Sequence, residues 1–149
     1  MIAVLEGVAR RPFAAQKPVA QHGPREDPDV LFLHVGGDAN HLAPVKGVVS
    51  FHGNLATQSP AEPGKTKGKV LVCHGAEDPF VPPDVVNAFA EEMTKAGVDW
   101  QLISYGGTVH SFTNPTAAAV GNPGIAYNKS ADERSWQAMR NFFSEIFAA

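Results

Sequence analysis

The stretch Lys-Val-Leu-Val-Cys-His-Gly at residues 69–75 constrains the fold more than any other. It is almost continuously apolar, with no alternation of apolar and polar positions. A strand with one face in water alternates, whereas a parallel strand covered on both faces does not. A similar run, Val-Lys-Gly-Val-Val-Ser-Phe-His-Gly, spans 45–53, and a third strand is read over 98–105. Between the second and third runs the spacing predicts a helix over 84–96. Asp84 and the prolines before it suit its start, and Gly97 suits the position just past its end. Val85, Val86, Phe89, Met93 and Ala96 recur at helical spacing and form one apolar face. A last helix is read over about 131–147, with Trp136, Met139, Phe143, Ile146 and Phe147 on one face. Strand, helix, strand and a closing helix argue for an α/β fold, a mostly parallel sheet flanked by helices with right-handed crossovers.

Residues 1–44 differ from the rest. They hold prolines at 12, 18, 24, 28 and 44 and histidines at 22, 34 and 41. The segment Gln-Lys-Pro-Val-Ala-Gln-His-Gly-Pro-Arg-Glu-Asp-Pro-Asp has neither a helical nor a strand period and reads as irregular. One strand is expected here, in the apolar run closed by Gly-Gly at 29–37. The chain therefore divides into an irregular segment, 1–44, and a folded part, 45–149, within the length of one domain.

Formal net charge is −3, with acids and bases interspersed. A nucleic-acid or anionic-membrane surface needs clustered Lys and Arg, so neither partner is expected. No apolar run is long enough to cross a bilayer. The single cysteine, Cys73, excludes an internal disulfide and a cysteine-rich metal site, and a cytoplasmic location is the expectation. The six histidines lack ligand spacing and there is no glycine-rich phosphate loop, so neither metal nor cofactor is expected.

In open parallel sheets, functional groups gather in loops past the C-terminal strand ends. The loop after 69–75 carries Glu77 and Asp78; the loop after 98–105 carries His110. An acid accepting from one imidazole nitrogen fixes the tautomer and stabilises the imidazolium formed in catalysis. Simpler readings stand beside this one. Asp78 before Pro79 is also a turn former, and a histidine after Gly-Gly is also an ordinary loop residue. His52 and His74, ending strands before glycines, read as structural, and Cys73 as a small buried apolar side chain.

Four segments decide between these readings: Val-Lys-Gly-Val-Val-Ser-Phe-His-Gly-Asn-Leu, Lys-Val-Leu-Val-Cys-His-Gly-Ala-Glu-Asp-Pro-Phe-Val-Pro-Pro, Tyr-Gly-Gly-Thr-Val-His-Ser-Phe-Thr-Asn-Pro, and the stretch from Ala126 to Phe147 that holds the last helix. Together, over about 45–147, they resemble the C-terminal half of the dienelactone hydrolase family of α/β hydrolases. The resemblance implies a partial α/β-hydrolase fold and hydrolysis of a small lactone or carboxylic ester through an acyl-enzyme. It places the triad acid at Asp78 and the base at His110. Phe80 and Tyr127 are candidate pocket walls, or else core residues. No arginine follows His110 through Ser111, Phe112, Thr113 and Asn114, so a neutral or differently charged ester is expected rather than a carboxylate-bearing lactone.

The family's nucleophile is a Cys or Ser on a strained elbow, G-x-C-x-G or G-x-S-x-G. Neither pattern occurs in residues 1–149. Leu71 stands where Leu-Val-Cys-His-Gly would need its first glycine, and His34-Val-Gly-Gly is only loosely like an oxyanion motif. The expectation is a fragment or altered reading of a longer gene, with N-terminal strands and elbow missing. A chain with acid and base but no nucleophile would have doubtful activity. The alternative is an inactive family member that binds a partner or self-associates through open sheet edges.

Overall fold

The computed structural model describes the backbone of residues 2–5 and 31–33, and residues 46–148 in full. Its order is β1 (Ile2–Leu5), β2 (Leu31–Leu33), β3 (Gly47–Phe51), β4 (Lys69–Gly75), α1 (Pro83–Ala96), β5 (Trp100–Tyr105), a short 3-10 helix (Ala117–Val120) and α2 (Lys129–Phe147). The five strands form one sheet in the order β2-β1-β3-β4-β5. β3, β4 and β5 are parallel, with Phe51 opposite Cys73 and Gly75 opposite Tyr105.

The sheet separates two apolar clusters, and strand alternation decides which residue joins which. Val49, Phe51, Leu71 and Cys73 face α2, where they meet Met139, Phe143 and Ile146. Val72 faces the other way, packing with Phe89, Met93 and Ala96 of α1 and with Val98. Both faces of β4 are thus buried, as its sequence requires. α1 starts with Pro83 in its first turn and ends at Gly97, whose φ of 70° is the left-handed closure. The Val98 N–H donates to the Met93 carbonyl at 3.0 Å, and the buried Val98 side chain completes that cap. α2 is capped by Asn128, whose Oδ1 accepts from the Ala131 N–H at 3.1 Å.

Three expectations change. Residues 1–44 were expected to hold one strand, but the backbone shows two. Leu31–Leu33 lies within the expected run at 29–37, whose other residues fall outside those described, as do His34 and the Gly-Gly after it. β1 was not expected, because four apolar residues carry no period of their own; they pair antiparallel with β3, from Ile2–Ser50 to Leu5–Gly47. β3 is therefore paired on both sides, and the outer strands are β2 and β5. Phe147, assigned to the core face of α2, is 38% exposed: it sits at the helix end, stacked on Phe143 with Lys46 Nζ over its ring at 5.6 Å.

Candidate active site

The site forms where the ends of β4 and β5 run side by side. Gly75 makes this possible by close approach: a Cβ there would lie 2.6 Å from the Thr108 carbonyl oxygen and 2.8 Å from that of Val109. Two further bonds join the loops, from Glu77 N–H to Thr108 O at 2.9 Å and from Ala76 N–H to Tyr105 O at 3.0 Å. Past these contacts the chain turns at Asp78, whose N–H donates to Gly75 O at 3.0 Å. His110 is fixed on its other side by residues 124–126. Its N–H donates to Gly124 O and its carbonyl accepts from the Ala126 N–H, both at 3.1 Å. The α2 cap adds a tie, since Asn128 Nδ2 donates to Thr108 Oγ1 at 3.1 Å.

This scaffold brings Asp78 and His110 together. Asp78 Oδ2 lies 2.8 Å from His110 Nδ1; the carboxylate is fully buried, while the imidazole is 27% exposed. The second oxygen, Oδ1, accepts from the Phe80 N–H at 2.9 Å. The turn-forming and imidazole-binding readings of Asp78 thus hold at once, one on each oxygen. An Asp at Nδ1 sets the tautomer that leaves Nε2 free to accept a proton. Among the described residues nothing bonds to Nε2.

Phe80, a candidate pocket wall, is half-exposed and meets the His110 ring edgewise at 5.3 Å. The Tyr127 hydroxyl donates to Asp132 Oδ2 at 3.1 Å, at the start of α2. Cys73 sits at 0% exposure under α2, near the Tyr105 hydroxyl at 3.9 Å. Burial pushes its thiol up to about 12, so it holds its proton at neutral pH. Burial likewise raises the Tyr105 phenol. Neither group is a poised nucleophile.

His52, read as a structural strand end, lies with its ring 5.1 Å from that of His110. Burial is the main cause holding its pKa down at about 3. The available signal was its place at a C-terminal strand end, where such sites collect. Among the described residues no group of three or more His, Cys, Asp or Glu is arranged to hold a metal ion. No described helix is long and apolar enough to cross a membrane.

Three parallel strands flanked by two helices, with an acid and a histidine in adjacent loops past the strand ends, define part of an α/β-hydrolase fold. The family is then specific. The model of the dienelactone hydrolase family matches residues 35–147, beginning at residue 35 rather than the expected 45, and the chain belongs to that family. An uncharacterized protein of Caenorhabditis elegans is 37% identical over 108 residues, covering 70% of this chain and 66% of its own length. A Saccharolobus solfataricus protein named "Putative carboxymethylenebutenolidase" is 28% identical over 148 residues, covering 95% of this chain and 52% of its own. Among solved structures, a dienelactone hydrolase-like promiscuous phosphotriesterase from metagenomic libraries is 46% identical with a TM-score of 0.62. That match covers 66% of this chain and 41% of the other. The chain thus spans between two fifths and two thirds of the length of these relatives.

Proposed function

We propose that Asp78 and His110 are the acid and base of an acyl-transfer centre that hydrolyses a small, uncharged carboxylic ester or lactone. The observation that carries this reading is the 2.8 Å contact from His110 Nδ1 to a fully buried carboxylate oxygen. In the reaction, His110 Nε2 takes the proton of a thiol or hydroxyl nucleophile as that atom bonds to the ester carbonyl carbon. Asp78 stabilises the imidazolium. The imidazolium then gives the proton to the leaving oxygen as the acyl–oxygen bond breaks. Water repeats the cycle: His110 takes a proton from it as its oxygen bonds to the acyl carbon, then returns that proton to the nucleophile atom as the acyl–enzyme bond breaks and the acid is released. Phe80, half-exposed against the His110 ring, offers an apolar wall and suits an uncharged group beside the base.

The nucleophile is the open part of the reading. No elbow pattern occurs in the sequence, and Cys73 is buried away from the loops. That observation favours a second reading, in which the chain turns over nothing and binds a partner or self-associates. Hydrolysis of 4-nitrophenyl acetate separates the two. Turnover that His110→Ala abolishes supports the first. No turnover by pure, folded wild-type protein favours the second, and turnover unchanged in His110→Ala overturns the role of His110. An uncharged aryl phosphotriester belongs in the same screen, because one solved relative is described as a phosphotriesterase. The proposed location is cytoplasmic.

A further inference from the structure

The end of β3 holds a histidine that the acid–base scheme does not use. Among the described residues, two that are not glycine have left-handed backbone: His52, with φ of 41°, and Ser111, with φ of 59°. Both border His110, one in space and one in sequence. Strained backbone of this kind persists where its surroundings over-determine it, and it clusters at functional sites. Continued alternation along β3 would put residue 52 on the same face as Ser50, the register partner of Val72 in the α1-side cluster. The chain turns instead. The His52 N–H donates to Cys73 O at 2.9 Å, and Gly53 lies so close over Ser50 that a Cβ there would be 2.3 Å from Oγ.

The turn delivers the imidazole across the sheet end. Its ring lies 5.1 Å from that of His110 at 70° and 5.4 Å from that of the buried Phe112 at 79°. Its Nε2 is 3.0 Å from Thr113 Oγ1. His110 is therefore confined by Asp78 at Nδ1, by His52 and by the Phe80 ring.

We propose that His52 is a positioning residue for His110, whose ring contact and Thr113 bond hold the base imidazole in line with Asp78. The proposal deepens the reading of His110 as the base. Burial suits His52 to this place: it stays neutral, so an imidazolium at His110 meets an uncharged ring and no like charge. A lysine or arginine here would repel that state.

The test is the exchange of the His110 Nδ1–H proton with water, read by side-chain NMR, with thermal melts to check folding. His52→Ala is expected to speed exchange by about 2- to 10-fold, the scale of one lost edgewise ring pair. His52→Phe keeps the ring and stays within about twofold of wild type. Thr113→Val keeps its shape, frees the His52 ring and gives a smaller acceleration. Unchanged exchange in a folded His52→Ala variant overturns the proposal. If that variant does not fold, unchanged exchange in Thr113→Val overturns it instead. None of these readings needs turnover. An ester assay that fails in wild type removes the proposed activity and leaves the exchange result to decide the role of His52.

Discussion

Cys73 and Asp78 stand on one strand and the loop that leaves it, and both are buried, yet they are opposite in character. Cys73 lies among apolar side chains with one distant hydroxyl, and its thiol is driven up to about 12. Asp78 has a donor on each oxygen, the Phe80 N–H on one and His110 Nδ1 on the other. Burial alone silences an ionisable group; burial with matched partners fixes it in a working geometry. The difference comes from position. The thiol is inside the sheet, where neighbours are side chains from the helices. The carboxylate is just past the strand end, where free N–H groups and a second loop are within reach.

The largest expected effect is in Asp78→Asn. The amide oxygen can keep the Phe80 turn, but the acceptor at His110 Nδ1 is no longer a carboxylate. Any ester turnover is expected to fall by about 10³- to 10⁴-fold, measured as kcat, with the melting transition preserved. Cys73→Ser inverts the comparison, placing a hydroxyl where the structure offers it apolar neighbours. It should cost about 1–3 kcal/mol in urea unfolding and leave turnover as in wild type. Loss of turnover there would make Cys73 the nucleophile and overturn the contrast.

The pH dependence sharpens the same point from the histidine side. Burial lowers His52 to about 3 and lowers His74 in the same direction. The unfolded chain binds these protons from about pH 6.5 downward, so the stability these neutral rings carry is full above that pH. It is lost as pH falls, for His52 toward about 3. For His52 the unfolding free energy should fall by about 1 kcal/mol per pH unit near pH 5, and His52→Gln should flatten that slope. Cys73 acts at the other end: its contribution is full below about pH 9, the ordinary thiol range, and is lost as pH rises toward about 12. The smallest effect is a null one. A thiol-alkylating reagent at neutral pH should leave native protein unlabelled, read by mass spectrometry, and add a single label after unfolding.

Much of this was legible in the sequence. The three parallel strands and two helices agree with their expected limits to within two residues, because continuous apolar runs, the prolines before Asp84, Gly97 and helical apolar spacing mark them locally. The places of Asp78 and His110 in loops past strand ends were legible, and the resemblance assigned them the acid and base roles; their contact depends on Gly75, whose role is visible only in three dimensions. β1 was not legible, since four residues find their partner strand more than 40 positions later. The place of the His52 ring beside His110 was not legible, since alternation along β3 points it to the other face and the left-handed turn that redirects it has no reliable mark in a His-Gly pair.

The central claim is that Asp78 holds His110 in the tautomer a base needs. Long-range ¹H–¹⁵N NMR of the histidine side chains tests it without any substrate. At a pH where His110 is neutral, the account predicts a proton on Nδ1 and a bare, accepting Nε2, with that preference lost in Asp78→Asn. A proton on Nε2 in the wild-type protein would contradict it, because His110 would then have no lone pair facing outward to take a nucleophile's proton.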